Sequence, residues 1–513
     1  MGIHTDFAQP EEKVETSLLP IGDEEFGYRE ARHLLQRAGF GGTDEQIRTL
    51  ASWGPQKAVD FIVDYHDIPF ETDSPTAFDH DIMRPPTRAE QALLQRARQT
   101  GDENTLSRIR EMRQRSQRDD RGQMRELRHW WITRMIQTPR PFEEKMTLFW
   151  HGHFATSYRT IEDSYHMYAQ NRMFRGFALG NFGDLLRAVI RDPAMLRYLN
   201  NDRNRKDAPN ENLAREIMEL FSLGEGNYSE RDIKEGARAL TGYTFRDDAF
   251  SYDKNNHDEG AKYILGVQGN LDGDGFVNAI LRSQHCAPFI CAKLYKFFVK
   301  EIPTDTRALD GAERAVVRAM SKVMQQSRYE IKPVMRKLLM SRHFYDPSVI
   351  GNKIKSPVEL VVGSVRSLNT PVRNMVVLAN ALDQMGQSLF MPPSVKGWDG
   401  GRAWINTSTL FTRQNTLVYM LTGELAQTDR RFVDPTPYDP RRLIACMNDP
   451  RIEGDPPDDL VANQLMDLVL GRRPYGAGDL LISAARKVAK PTTRDGIRTM
   501  LLLTTSMPEY QLC

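Results

Sequence analysis

The run Pro209-Asn210-Glu211-Asn212-Leu213-Ala214-Arg215-Glu216-Ile217-Met218-Glu219-Leu220-Phe221-Ser222-Leu223-Gly224 reads as a helix with its punctuation in place. Proline at the start costs nothing because the first-turn N–H groups have no helical partner, and a closing glycine accepts the left-handed conformation that ends a helix. Leu213, Ile217 and Leu220 form one apolar stripe, so the helix has a face to bury. Asn212, Glu216 and Glu219 share a second face, and Glu211 precedes Arg215 by four residues, the spacing of a helical ion pair.

The same grammar extends in both directions. Ala31, Leu34, Leu35 and Ala38 keep helical spacing up to Gly39-Phe40-Gly41-Gly42, and Thr43 with Gln46 has the form of a capping box, so residues 26–65 read as two short helices joined by a glycine turn. Pro69, Pro75, Pro85 and Pro86 make residues 67–87 a loop. Residues 88–128 hold eleven Arg and seven Asp or Glu, interleaved, with Gly101-Asp102 as the turn between two arms and Trp130, Trp131, Met135 and Ile136 as a dock for their base. Mixed signs without stacking aromatics fit a solvated helical hairpin better than a nucleic-acid groove.

Downstream, 310–339 and 358–389 read as helices, and two prolines and three glycines make 391–404 an irregular aromatic loop. Beyond Asp434, the prolines 435, 437 and 440 lead into candidate helices at 460–470 and 477–488. The aromatic segment Tyr243 to Tyr252 is the one strand-like stretch. The expectation is a mainly α, large multi-helix globular assembly with an Arg-rich helical hairpin insertion and few or short strands. It divides into a flexible arm (1–24), a helical core (25–433) with a site region at 141–300, and a C-terminal helical unit packed on the core (434–513).

Composition narrows the function classes. Of 513 residues, 40% are apolar and 27% charged, which excludes disorder and allows a sizeable core. Lys and Arg total 69 against 68 Asp and Glu, so no global field favours nucleic acid. No apolar run approaches a membrane span, and Asp6, Glu11, Glu12 and Glu15 stand where a signal peptide needs an apolar core, which implies a cytoplasmic chain unless it is exported with a partner. Cys286, Cys291, Cys446 and Cys513 are too scattered for a disulfide scaffold and read as ordinary thiols.

Three segments carry chemistry-bearing residues. In Phe149-Trp150-His151-Gly152-His153-Phe154, a backbone break at Gly152 brings His151 and His153 to one side as a metal-ligand pair. The Glu216 and Glu219 face resembles the carboxylate face of a metal-binding bundle, although no His follows either Glu three residues later. Asn255-Asn256-His257-Asp258 adds an adjacent imidazole and carboxylate. Asn270 to Gly275 matches the start of a calcium loop, but Leu281 stands where the bidentate Glu belongs, so a turn is the better reading. Hydrolase, phosphate-loop and dinucleotide motifs are absent.

Glu144-Lys145-Met146-Thr147-Leu148-Phe149-Trp150-His151-Gly152-His153-Phe154-Ala155-Thr156, Arg191-Asp192-Pro193-Ala194-Met195-Leu196, the Pro209 to Gly226 run and Ala237-Arg238-Ala239-Leu240-Thr241-Gly242-Tyr243 closely resemble the bacterial family known as domain of unknown function 1800. His33 to Gly41, Lys355 to Glu359 and Met507 to Tyr510 are further landmarks, so the resemblance covers about residues 25 to 511. It implies a mostly helical single unit, often encoded beside a second family that looks like sulfatases and phosphatases. It carries no activity over.

Two functions follow as expectations. The first is a metal-dependent enzyme, hydrolytic or redox. A divalent transition metal is held by His151, His153, His257, Glu216 and Glu219, with Glu216, Glu219, Arg215 and Asp258 as catalytic groups and Arg215 or Arg238 steadying an anionic substrate. The second is a non-catalytic helical partner of the neighbouring sulfatase-like protein, in which the same polar residues form a buried network that fixes helix packing.

Overall fold

The computed structural model describes residues 16–70, 78–303, 305–425 and 434–513. Most of the expected N-terminal arm and the middle of the 67–87 loop lie outside the described residues. Within 16–24 the chain is packed rather than loose: Leu18 and Ile21 are buried, the Ile21 N–H donates to the Met340 carbonyl at 2.9 Å and the Arg342 N–H to Leu19 at 2.8 Å. Two apolar side chains in a polar stretch suffice to anchor it.

The described residues form twenty-one α-helices and two small antiparallel hairpins, so the protein is mainly α. One apolar core runs from Leu18 to Tyr510. Tyr243–Arg246 pairs with Ala249–Tyr252, where aromatic residues suggested strand, and Lys262–Ile264 pairs with Val267–Gly269, where nothing did. The second hairpin is three residues per strand, too short for an alternating pattern to register.

The Arg-rich segment is a helical hairpin, Arg88–Thr100 and Glu103–Gln137. Gly101 takes the turn at φ +65°, and the Asp102 carboxylate caps the second helix through the Thr105 N–H at 3.1 Å. Its outer half is solvated. Its inner half buries Met124, Leu127, Trp131, Ile132 and Met135, which roots the hairpin in the core.

The helix Pro141–His153 crosses the centre of the molecule, and every residue in it except Gly152 is buried. It therefore carries three charged side chains inside the core, and all three are compensated. Glu144 accepts from Arg175 Nε at 2.6 Å and Nη2 at 2.9 Å, from Trp131 Nε1 at 2.8 Å and from Arg134 Nε, while Glu143 faces Arg134 Nη2 at 3.2 Å. Lys145 Nζ meets Glu359 at 2.6 Å, and the same carboxylate takes Lys353 at 3.2 Å and the Ser356 N–H at 2.7 Å, capping the helix Pro357–Leu368. Burying an ion costs several kcal/mol unless its hydrogen bonds are made, and here they are made.

The last eighty residues lie against this core. Arg32 donates to the Leu468 and Val469 carbonyls at 2.7 Å each, Lys355 Nζ to the Tyr510 carbonyl at 2.7 Å, and the Cys513 N–H to Lys353 at 2.8 Å. All four cysteines are free and buried. Among the described residues, no helix is long and apolar enough to cross a membrane.

Candidate functional site

The backbone does not break at Gly152. Helical hydrogen bonding continues through the Phe154 N–H to the Trp150 carbonyl at 2.8 Å, so His151 and His153 lie roughly 200° apart around the helix. They point to opposite sides and cannot share an ion. His151 Nε2 accepts the Phe390 N–H at 3.0 Å inside an aromatic box of Trp131, Phe390 and Trp398. His153 faces the other way and its Nε2–H donates to the Phe221 carbonyl at 3.0 Å, since a carbonyl only accepts. Burial lowers both imidazoles to about 3, with Lys293 adding to the effect at His153, so each is neutral.

The remaining expected ligands are also apart. His257 Nδ1–H donates to the Thr241 carbonyl at 2.8 Å and packs on Tyr252, and Asp258 accepts from Arg238 Nε at 2.7 Å and Nη2 at 3.1 Å. Arg238 also binds Glu235 at 2.9 Å, so these residues tie one loop to the helix Glu230–Ala239. Arg215 bridges Glu211 at 3.1 Å and Glu230 at 3.0 Å in contact with solvent. Glu219 accepts from the Tyr228 hydroxyl at 2.7 Å; burial and then Glu219 raise the Glu216 carboxyl above its usual range. Among the described residues, no group of three or more His, Cys, Asp or Glu side chains is placed to hold a metal ion. The donor set of His151, His153, His257, Glu216 and Glu219 does not fit a metal. Arg215 and Asp258 lie in ion pairs that hold the backbone rather than in a catalytic cluster.

Two of the expected residues, His153 and Glu219, do face a common space. A cavity of about 460 Å³ opens between the end of the Pro141–His153 helix, the turn after Asn212–Glu219, the helix Cys286–Phe298 and the irregular loop 391–404. The loop closes it by lying directly on the helix end. Gly397 has φ +80°, and a methyl group there would overlap the Gly152 carbonyl oxygen, so the approach requires glycine. Phe149, Phe289, Phe297, Trp398 and Trp404 supply an aromatic wall.

The charges in that wall are unequal in their partners. Lys296 pairs with Glu301 at 2.6 Å, Arg307 with Asp305 at 2.9 Å and Lys353 with Glu359. Lys396, Glu225 and Asp399 are exposed at the rim. Lys293 is partly buried, stands over the Phe289 ring at 5.2 Å and has no ion pair among the described residues. Burial first, and the Lys296 charge one turn away second, lower its ammonium to about 8. Beside it, His153 Nδ1 carries a lone pair with no protein donor among the described residues. The site thus offers one desolvated amine and one neutral acceptor around an aromatic space.

Reading the sequence for metal ligands overlooked Lys293 and Trp398. A signal was present: Lys293 lies within Phe289-Ile290-Cys291-Ala292-Lys293-Leu294-Tyr295, with no acidic residue three or four positions away. A lysine so placed on a buried helix must find its partner elsewhere or remain without one.

The model of the family described as "Protein of unknown function (DUF1800)" matches residues 33–512. The chain belongs to this family. As a DUF1800 protein it matches no curated protein and no solved structure. The aromatic cavity and its unpaired lysine therefore carry the functional argument for this DUF1800 chain.

Proposed function

We propose that the cavity is a small-molecule site, that its ligand is an organic anion with an apolar body, and that the protein acts on this ligand as an enzyme. The observation that supports this reading is Lys293, a cation in an aromatic wall with no counter-ion among the described residues. An unpaired charge in a partly desolvated place costs free energy, and a carboxylate bound there recovers it. The aromatic side chains take the apolar part, and His153 Nδ1 supplies an acceptor for orientation.

A metal-dependent function is not supported, because His151 and His153 leave opposite sides of one helix and, among the described residues, no three of the expected ligand types gather. The test is titration calorimetry with benzoate and phenylacetate. Binding is expected at pH 7 and is expected to weaken above pH 8 as Lys293 loses its proton, and Lys293→Met should lower affinity at least tenfold. Equal affinity in the wild type and the variant would overturn the assignment.

A further inference from the structure

The surroundings of Lys293 go further than anion binding. Its partners are what an amine nucleophile needs: an apolar face beneath it at Phe289, a second cation at Lys296 in the next turn, and no carboxylate among the described residues to hold its proton. Like charges three residues apart on a helix oppose each other, and Lys296 is stabilised by Glu301 while Lys293 is left alone. The Phe289 ring also lies 6.5 Å from His153, so amine and imidazole border the same part of the cavity. His153 Nδ1 is an acceptor there, because Nε2 keeps the ring proton in its bond to Phe221.

We propose that Lys293 forms a Schiff base with the carbonyl carbon of a 2-oxo acid bound in the cavity. This rests on the reading of the cavity as an anion site. Lys293 first gives its ammonium proton to water at the cavity opening. The Nζ lone pair then adds to the carbonyl carbon, and the carbonyl π electrons move to oxygen, which takes a proton. Nζ loses one proton to give the neutral carbinolamine, the hydroxyl oxygen takes another proton and leaves as water with the C–O electrons while the nitrogen lone pair forms C=N, and loss of the last N–H proton to water gives the imine. Amine and oxo acid thus give imine and one water, with no oxidant or reductant. His153 Nδ1 accepts a hydrogen bond from the carbinolamine hydroxyl and so positions it. The aromatic wall favours an oxo acid with an apolar side chain over a small one.

The experiment is reductive trapping on the full chain with phenylpyruvate and sodium cyanoborohydride, followed by intact mass and peptide mapping. One adduct per chain at Lys293 is expected, at least tenfold faster than at any other lysine. Lys293→Arg, which keeps the charge, should abolish it, while Lys296→Arg should retain it. Benzoate should compete. Mapping of the wild type decides the matter even where a variant fails to fold. Adducts spread over surface lysines, or undiminished in Lys293→Arg, overturn the proposal. Benzoate binding without any adduct overturns the Schiff base and leaves the anion site standing, whereas neither binding nor adduct overturns both.

Discussion

Lys145 and Lys293 are lysines on neighbouring helices of one core, and the difference that matters is the carboxylate. Lys145 is fully buried against Glu359, whose second lysine and helix-cap bond complete the cluster. Lys293 is partly buried against Phe289 and has no carboxylate partner among the described residues. Burial lowers both ammonium groups, so burial does not separate them. Lys355 makes the point again: burial and then Arg32 lower it to about 7, yet its ammonium is held by the Tyr510 carbonyl. A buried charge with its partners supplied belongs to the architecture. One left unpaired beside an aromatic cavity is the one we propose a ligand uses.

The sharpest way to break this contrast is at the compensated end. Glu144→Gln removes the carboxylate that holds Arg134, Arg175 and Trp131, and should cost about 3–5 kcal/mol by denaturant unfolding. Although burial alone would raise the Glu144 carboxyl, Arg175 and Arg134 outweigh it and hold it at about 2. With the folded value below the unfolded one, its stabilisation is whole above pH 4.5 and drains as pH falls toward 2. An acid unfolding profile unchanged in Glu144→Gln would contradict the assignment.

Gly397→Ala comes next, at about 2–3 kcal/mol, because the position combines a left-handed backbone with contact on the Gly152 carbonyl. Calorimetric melting should show the loss, and probe binding in the cavity should weaken with it.

Lys293→Met is expected to act in the opposite direction, stabilising by about 1–2 kcal/mol at pH 7 while binding is lost. The folded value of about 8 lies below the ordinary 10.5, so the ammonium's cost is fully present below pH 8 and fades as pH rises to 10.5. The gain should therefore shrink at pH 10. A destabilised Lys293→Met at pH 7 would place Lys293 with Lys145 among the structural lysines.

The smallest effect belongs to Arg215→Ala. Its ion pairs with Glu211 and Glu230 are solvent-accessible, so the change should stay within about 1 kcal/mol and leave probe affinity as it was. A large loss of affinity would return Arg215 to the site.

Much of the architecture is written locally. Thr43 with Gln46, Gly101 with Asp102, and Ser356 with Glu359 mark helix ends within four residues, and the structure uses each of them. Leu213 and Ile217 are buried as their spacing requires. The site was harder to read. His151 and His153 suggested a pair because alternation brings side chains together in a strand, but the apolar residues around them are buried on every side of a helix, which continues through Gly152. Glu216 and Glu219 were found on a common face, but only Glu219 lines the cavity.

The sequence by itself determined the helical class, the hairpin and its turn, the irregular aromatic loop and family membership, because caps, periodicity and glycine turns act over a few residues. Tertiary structure alone decided which charges are compensated. Glu359 reaches Lys145 across 214 positions and the 391–404 loop reaches Gly152 from a distant part of the chain, while among the described residues no carboxylate pairs with Lys293. Charge compensation depends on distances of a few ångströms between segments remote in sequence, and a partner's absence is visible only once every segment has been placed.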